Sequence, residues 1–176
     1  MESTEDLLSK DHKELDTLLG AVLTALEGEN SVEAFETLDL FWARLAMHIR
    51  AENLHLFPSV LNELKREDGE SQLRYIPSSE VQTAVERLTA DHNFFMQQLS
   101  RAIRILRDTG LAIESVNEFE TVREIIGRVS ERLIAHNELE EMIIYPMPAK
   151  LLSNEERIEL AALIQRELKN VPPRLT

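Results

Sequence analysis

Two stretches of the chain, HIRAENLHLFP at residues 48–58 and HNELEEMIIYP at residues 136–146, share one plan. Each opens on a histidine, His48 or His136. Each carries a glutamate four residues on, Glu52 or Glu140, and closes on an aromatic–proline pair, Phe57-Pro58 or Tyr145-Pro146. On a helix, residues four apart lie one turn above each other on the same face, so each stretch pairs an imidazole with a carboxylate. A second repeat precedes each of these. Leu8-Ser9-Lys10-Asp11-His12 matches Leu88-Thr89-Ala90-Asp91-His92. The chain therefore reads as two helical hairpins of common design, and their repeat is too long for a solenoid.

Apolar periodicity places these motifs on helices. Helix A is expected from about Thr4 to Glu27, with Leu8, Leu15, Leu19, Val22 and Leu26 on its stripe. Gly28-Glu29-Asn30 makes a turn, and Asn30 or Ser31 caps helix B with Glu33 as capping-box partner. Helix B runs to about Lys65 with a kink at Pro58. The longest loop falls between Arg66 and Ser78. Helix C starts at Ser79, with Gln82 three residues on, and reaches about Asp108, where Gly110 ends it. Helix D starts near Glu114 and continues to Tyr145, stopped by Pro146 and Pro148. Ser153 and Glu156 form a capping box for a last helix to about Asn170, and Val171-Pro172-Pro173 cannot extend it. The expected fold is all-α: an up-down-up-down four-helix bundle over about residues 4–148, with an additional C-terminal helix over about 153–170. All of residues 1–176 form a single domain. The last helix packs on the bundle or on the second subunit of a homodimer.

Composition narrows the chemistry. There is no cysteine, so disulfides, thiolate zinc sites and cysteine-held iron–sulfur clusters are excluded, and any metal must be held by nitrogen and oxygen. The net charge of −13 repels nucleic acid and anionic membranes, neither of which is an expected partner. The acidic opening Met1-Glu2-Ser3-Thr4-Glu5-Asp6 does not read as a secretory signal, and no apolar run approaches a membrane span. The expected compartment is the cytoplasm.

Four of the five histidines, His12, His48, His92 and His136, fall on the apolar stripes of the four helices. His12 lies about 17 residues before the first turn and His48 about 19 after it; the second hairpin gives a similar depth for His92 and His136. Six polar groups, these histidines with Glu52 and Glu140, converge in one layer of an apolar core. A lone core histidine is ordinarily a hydrogen-bonded structural residue; the matched repetition sets these four apart. Buried carboxylates without partners are costly, and a pair of cations removes that cost. Imidazole and carboxylate donors suit iron, manganese or zinc, and leave room for an oxo, hydroxo or small exogenous ligand. His55, seven residues after His48, is either a further ligand or a residue at the rim, since its counterpart is Ile143. Glu141 points about 100° away from Glu140 and is a weaker candidate. Phe57 and Tyr145 read as packing at the end of the core, and Met47, Met96 and Met142 as gap fillers.

These motifs, over residues 8–148, resemble the hemerythrin-like (HHE cation-binding) family. The resemblance implies a non-haem di-iron centre, oxo- or hydroxo-bridged, with His12, His48, His92 and His136 as terminal ligands and Glu52 and Glu140 as bridges. The oxygen carriers of that family have a second histidine where this chain has Met96, and a longer histidine–aspartate unit where it has His136 and Glu140. The pattern is similar to the four-histidine, two-glutamate branch, which includes iron-centre repair proteins linked to nitric oxide and oxidative stress. Those often carry an additional N-terminal cysteine-bearing domain that has no counterpart here. The implied function is binding, sensing or detoxifying O2, NO or peroxide, or holding iron for delivery or repair. A di-iron oxidase or peroxidase, and a metal-stabilised interaction module without redox activity, are the alternatives.

Overall fold

The structure is a computed structural model and describes residues 2–67, 77–108 and 116–171. The expectations for Gly110, for a start of helix D near Glu114, for most of the loop after Arg66 and for Pro172-Pro173 lie outside these residues. Within them the fold is all-helical, without strands. Helices α1 (Thr4–Glu27) and α2 (Ser31–Ala51) form the first hairpin, and α4 (Ser78–Asp108) and α5 (Val116–Leu139) the second. Between α2 and α3 (Phe57–Glu67), the chain passes through a π-helical turn, Glu52–Leu56. A matching π-turn, Glu140–Ile144, links α5 to α6 (Met147–Leu151), and α7 (Asn154–Leu168) follows. Helix α2 packs on both α1 and α4, and α5 on both α4 and α1, which closes a four-membered bundle.

Local signals account for the ends. Ser3 and Asp6 form a capping box at α1, and Ser153 and Glu156 form one at α7. At α2 the cap is Asn30, whose Oδ1 accepts from the Glu33 amide at 3.2 Å. The end of α1 is closed by Asn30 N–H on the Ala25 carbonyl, with Glu29 at φ 52 in the left-handed region. Arg123 of α5 donates to the Leu26 carbonyl at 2.8 Å, satisfying that end from across the bundle. Helix α4 begins at Ser78, one residue before the expected start. Ser79 lies inside it, and Gln82 donates to Glu86 instead of back to a cap.

Pro58 produces no simple kink. The helix widens before it, with Phe57 N–H donating to the Glu52 carbonyl five residues back, and α3 then restarts with the proline in its first turn. A proline costs no hydrogen bond there. Pro146 ends helix D as expected, but Pro148 does not act as a stop: it is an early residue of α6.

The polar layer divides the core. Toward the α1–α2 turn lie Leu15, Leu19, Phe41, Leu45, Phe95 and Leu133. Toward the other end lie Leu8, Leu56, Leu88 and Ile144. His12, His48, His92 and His136 sit between the two clusters, one on each long helix. Leu160, Ala161 and Ile164 of α7 join the second cluster, and Arg50 of α2 donates to Glu167 at 2.6 Å. The last helix thus packs on the bundle itself. None of the described helices is long and apolar enough to cross a membrane.

Candidate metal centre

The histidines reach the layer from the stripes of α1, α2, α4 and α5; both glutamates enter from the first position of a π-turn. All six are buried, Glu52 and Glu140 completely. They form two groups whose donor atoms lie within 4.8 Å of one another: His12, His48, Glu52 and Glu140, and His92, His136, Glu52 and Glu140. His55, half-buried, belongs to neither.

In the first half, His12 and His48 face each other with Nε2 atoms 3.1 Å apart. His12 Nε2 is 3.3 Å from Glu140 Oε2, and His48 Nε2 is 3.3 Å from Glu52 Oε1. In the second half the Nε2 atoms of His92 and His136 are 3.2 Å apart. His92 Nε2 is 3.2 Å from Glu52 Oε2, and His136 Nε2 is 2.9 Å from Glu140 Oε1. Each carboxylate therefore places one oxygen in each half. Glu52 Oε2 and Glu140 Oε1, both in the second half, are buried with no aligned hydrogen bond. The contacts with His92 and His136 are close but lack the alignment of a bond. Such orphaned carboxylate oxygens are what a cation would satisfy. Adjacent ligands on one ion with bonds of about 2.1 Å are about 3 Å apart at right angles, close to the spacings in both halves.

The outward Nδ1 atoms are held as well. His48 Nδ1 lies 2.9 Å from Asp11 Oδ2, and Asp11 is paired with Arg44. His136 Nδ1 lies 3.3 Å from Asp91 Oδ2, and Asp91 is paired with Arg132. His12 Nδ1 meets Glu141 Oε1 at 3.0 Å, and His92 Nδ1 meets Asn53 Oδ1 at 3.1 Å. Donating Nδ1–H outward leaves the Nε2 of each imidazole facing inward, the nitrogen whose lone pair a metal would take once any proton there has left. Of these orienting residues only Glu141 figures among the sequence candidates, as a weaker carboxylate for the layer itself; the structure places it behind His12 instead. A signal existed for two pairs: Arg44-Leu45 and Arg132-Leu133 each precede their histidine by the same spacing, and Asp11 and Asp91 each precede one directly. Asn53 and Glu141 each follow a core glutamate, but they serve the opposite hairpin, which no local spacing encodes.

Tyr145 corrects the expectation of plain packing. Its buried hydroxyl donates to Glu52 Oε1 at 2.7 Å and lies 2.9 Å from His12 Nε2 and 3.3 Å from Glu140 Oε2. Its counterpart Phe57 stacks on His92, with ring centroids 5.8 Å apart. Met96 packs against the first apolar cluster.

The metal-free layer is electrostatically loaded. Burial favours neutral imidazoles, but Glu52 and Asp11 outweigh it and hold His48 well above the ordinary histidine range. Glu140 and Glu52 likewise raise His92 to about 9 against its burial. Burial and the Glu140 charge push Glu52 up, yet His48 and His92 bring it below its usual value. Glu140 is held further down, against burial, by His12, His136 and His92. Burial and both carboxylates drive the Tyr145 hydroxyl well above its ordinary range. The layer thus stores protons that an arriving cation must displace.

A family model described as the hemerythrin HHE cation binding domain matches residues 3–148. No curated protein and no solved structure matches the chain.

Proposed function

This chain belongs to the hemerythrin HHE cation-binding family, and from that premise we propose that it is a non-haem di-iron protein that binds, senses or detoxifies a small molecule: O2, NO or peroxide. His12 and His48 would hold one iron, His92 and His136 the other, and Glu52 and Glu140 would bridge them. The observation that carries this reading is the split of both carboxylates, each with one oxygen in each half. A single ion in the first half would leave Glu52 Oε2 and Glu140 Oε1 of the second buried and unpaired, at a cost of several kcal/mol.

When bound, the iron pair would supply an exchangeable ligand position and electrons for a diatomic or a peroxide. The chain's own residues do the rest. Asp11, Asp91, Asn53 and Glu141 fix the imidazoles. Phe57, Phe95 and the two leucine-rich clusters keep water away from the layer. Before any metal binds, the Tyr145 O–H donates to Glu52 Oε1. Retention of iron for delivery or repair would use the same ligands.

Metal analysis of untagged protein, with absorbance spectra before and after anaerobic reduction and re-exposure to oxygen, tests this. About two irons per chain and an oxygen-dependent near-ultraviolet band are expected, with both reduced in His136→Ala. Zinc in place of iron, or no metal after anaerobic iron reconstitution, would end the redox reading and leave a structural or interaction role.

A further inference from the structure

The two halves of the centre are copies that differ at one inward-facing position. Phe57 and Tyr145 occupy the same place in the repeat, five residues past the core glutamate. Phe57 offers His92 only a ring face. Tyr145 puts an oxygen among the donor atoms of the first half, 2.7 Å from Glu52 Oε1, 2.9 Å from His12 Nε2, 3.3 Å from Glu140 Oε2 and 3.4 Å from His48 Nε2. Those separations match the spacing among the histidine and glutamate donors themselves, 3.1 to 3.3 Å in the same half. The hydroxyl therefore occupies a vertex of the donor cluster, not a position behind it. The first half presents five convergent protein donors and the second four. The orphaned carboxylate oxygens fall in the second half alone, because the hydroxyl serves the first.

We propose that Tyr145 is a fifth protein ligand to the metal held by His12 and His48, and that the open position for an exogenous small molecule lies on the other metal, between His92, His136 and Phe57. The inference rests on the metal-pair reading and assigns the two ions different tasks. On loading, the phenolic O–H bond breaks, an oxygen–metal bond forms and the proton passes to bulk water, with no change of oxidation state. The outer partners differ in the same sense: Glu141 places a carboxylate behind His12, whereas Asn53 places a neutral amide behind His92. Both differences make the first half the richer in anionic donors and the tighter site for a cation.

The test uses the full chain loaded with two irons and oxidised to the ferric state. Resonance Raman scattering, excited in the visible, should show phenolate ring modes and a phenolate-to-iron(III) charge-transfer band. Tyr145→Phe should lose both while keeping its two irons, and Tyr75→Phe should keep both. Phe57→Tyr should gain about twofold in band amplitude by adding the missing donor to the second half. In the metal-free protein, zinc titration should resolve two binding steps. Tyr145→Phe should weaken the tighter one by about tenfold or more. Two bound irons with no phenolate band in the wild type, or a band that survives Tyr145→Phe, would overturn this assignment and leave the metal pair intact. Fewer than two irons per wild-type chain would instead overturn the metal-pair reading beneath it. Should Tyr145→Phe fail to fold, an unchanged Phe57→Tyr spectrum is itself an overturning result.

Discussion

Among single residues, the carboxylates that never enter the layer are as informative as those that do. Asp91 stands between Arg132 at the surface and His136 Nδ1 within. Asp91→Asn removes the anion that makes the imidazole a better donor while preserving shape. Metal affinity, measured by competition with a chelator, should fall about 10- to 100-fold, with an unchanged number of ions at saturation. The metal-free state has its own pH signature. His92, ordinarily near 6.5, is raised to about 9, so it carries a proton at neutral pH. Its ion pairs with Glu52 and Glu140 therefore stabilise the empty fold fully below about 6.5, and that contribution is lost as pH rises through about 9. Metal uptake has the opposite sign, since the ion must displace that proton: apparent affinity should climb as pH rises toward about 9. Calorimetry of zinc binding in buffers of different ionisation enthalpy would count the protons released. A count near zero at neutral pH would contradict this account. The six inward donors were legible from helical spacing and repetition because each lies on an apolar stripe. Tyr145 was not, for a reason that belongs to the helices.

An α-helix turns about 100° per residue, so five residues after Glu140 Tyr145 should point about 140° away from it. The π-turn closes a hydrogen bond from Tyr145 N–H to the Glu140 carbonyl at 2.8 Å, which returns the fifth residue to the same face. The same turn gives Phe57 its place on His92. Both widened turns precede a proline, but a proline in a helical pattern signals a kink or a stop equally well, so the sequence does not single out the π-turn. Capping boxes, by contrast, depend on residues three apart and were legible at Ser153. Ser153→Ala should cost about 1 kcal/mol in denaturant unfolding, or less if α7 frays independently of the bundle. Glu29 is the one non-glycine residue at positive φ among those described. Glu29→Gly should gain up to about 1 kcal/mol, read as a shift in midpoint with an unchanged slope.

For the whole molecule, the layer cuts one core into two, and the ions would join what the polar groups divide. Stripping metal with a chelator should lower the melting temperature by about 5 to 10 °C, if free metal stood near 100-fold above its dissociation constant. The bundle was legible because each stripe is long and each turn short. The sequence leaves the seat of α7 open between the bundle and a second subunit. Its packing residues, Leu160, Ala161 and Ile164, are apolar, but nothing in their spacing names the surface they meet. Orientation of the imidazoles crosses the hairpins: Asn53 of the first steadies His92 of the second, and Glu141 of the second steadies His12 of the first. Neither hairpin can complete its own ligands. If the chain is divided between residues 72 and 73, each piece alone should bind metal poorly, and the two pieces together should restore binding by complementation. Such reciprocity is what a duplicated and fused gene would leave behind. An ancestral hairpin that steadied its identical partner would have formed a symmetric pair, and fusion would then have freed the two copies to diverge, tyrosine in one and phenylalanine in the other.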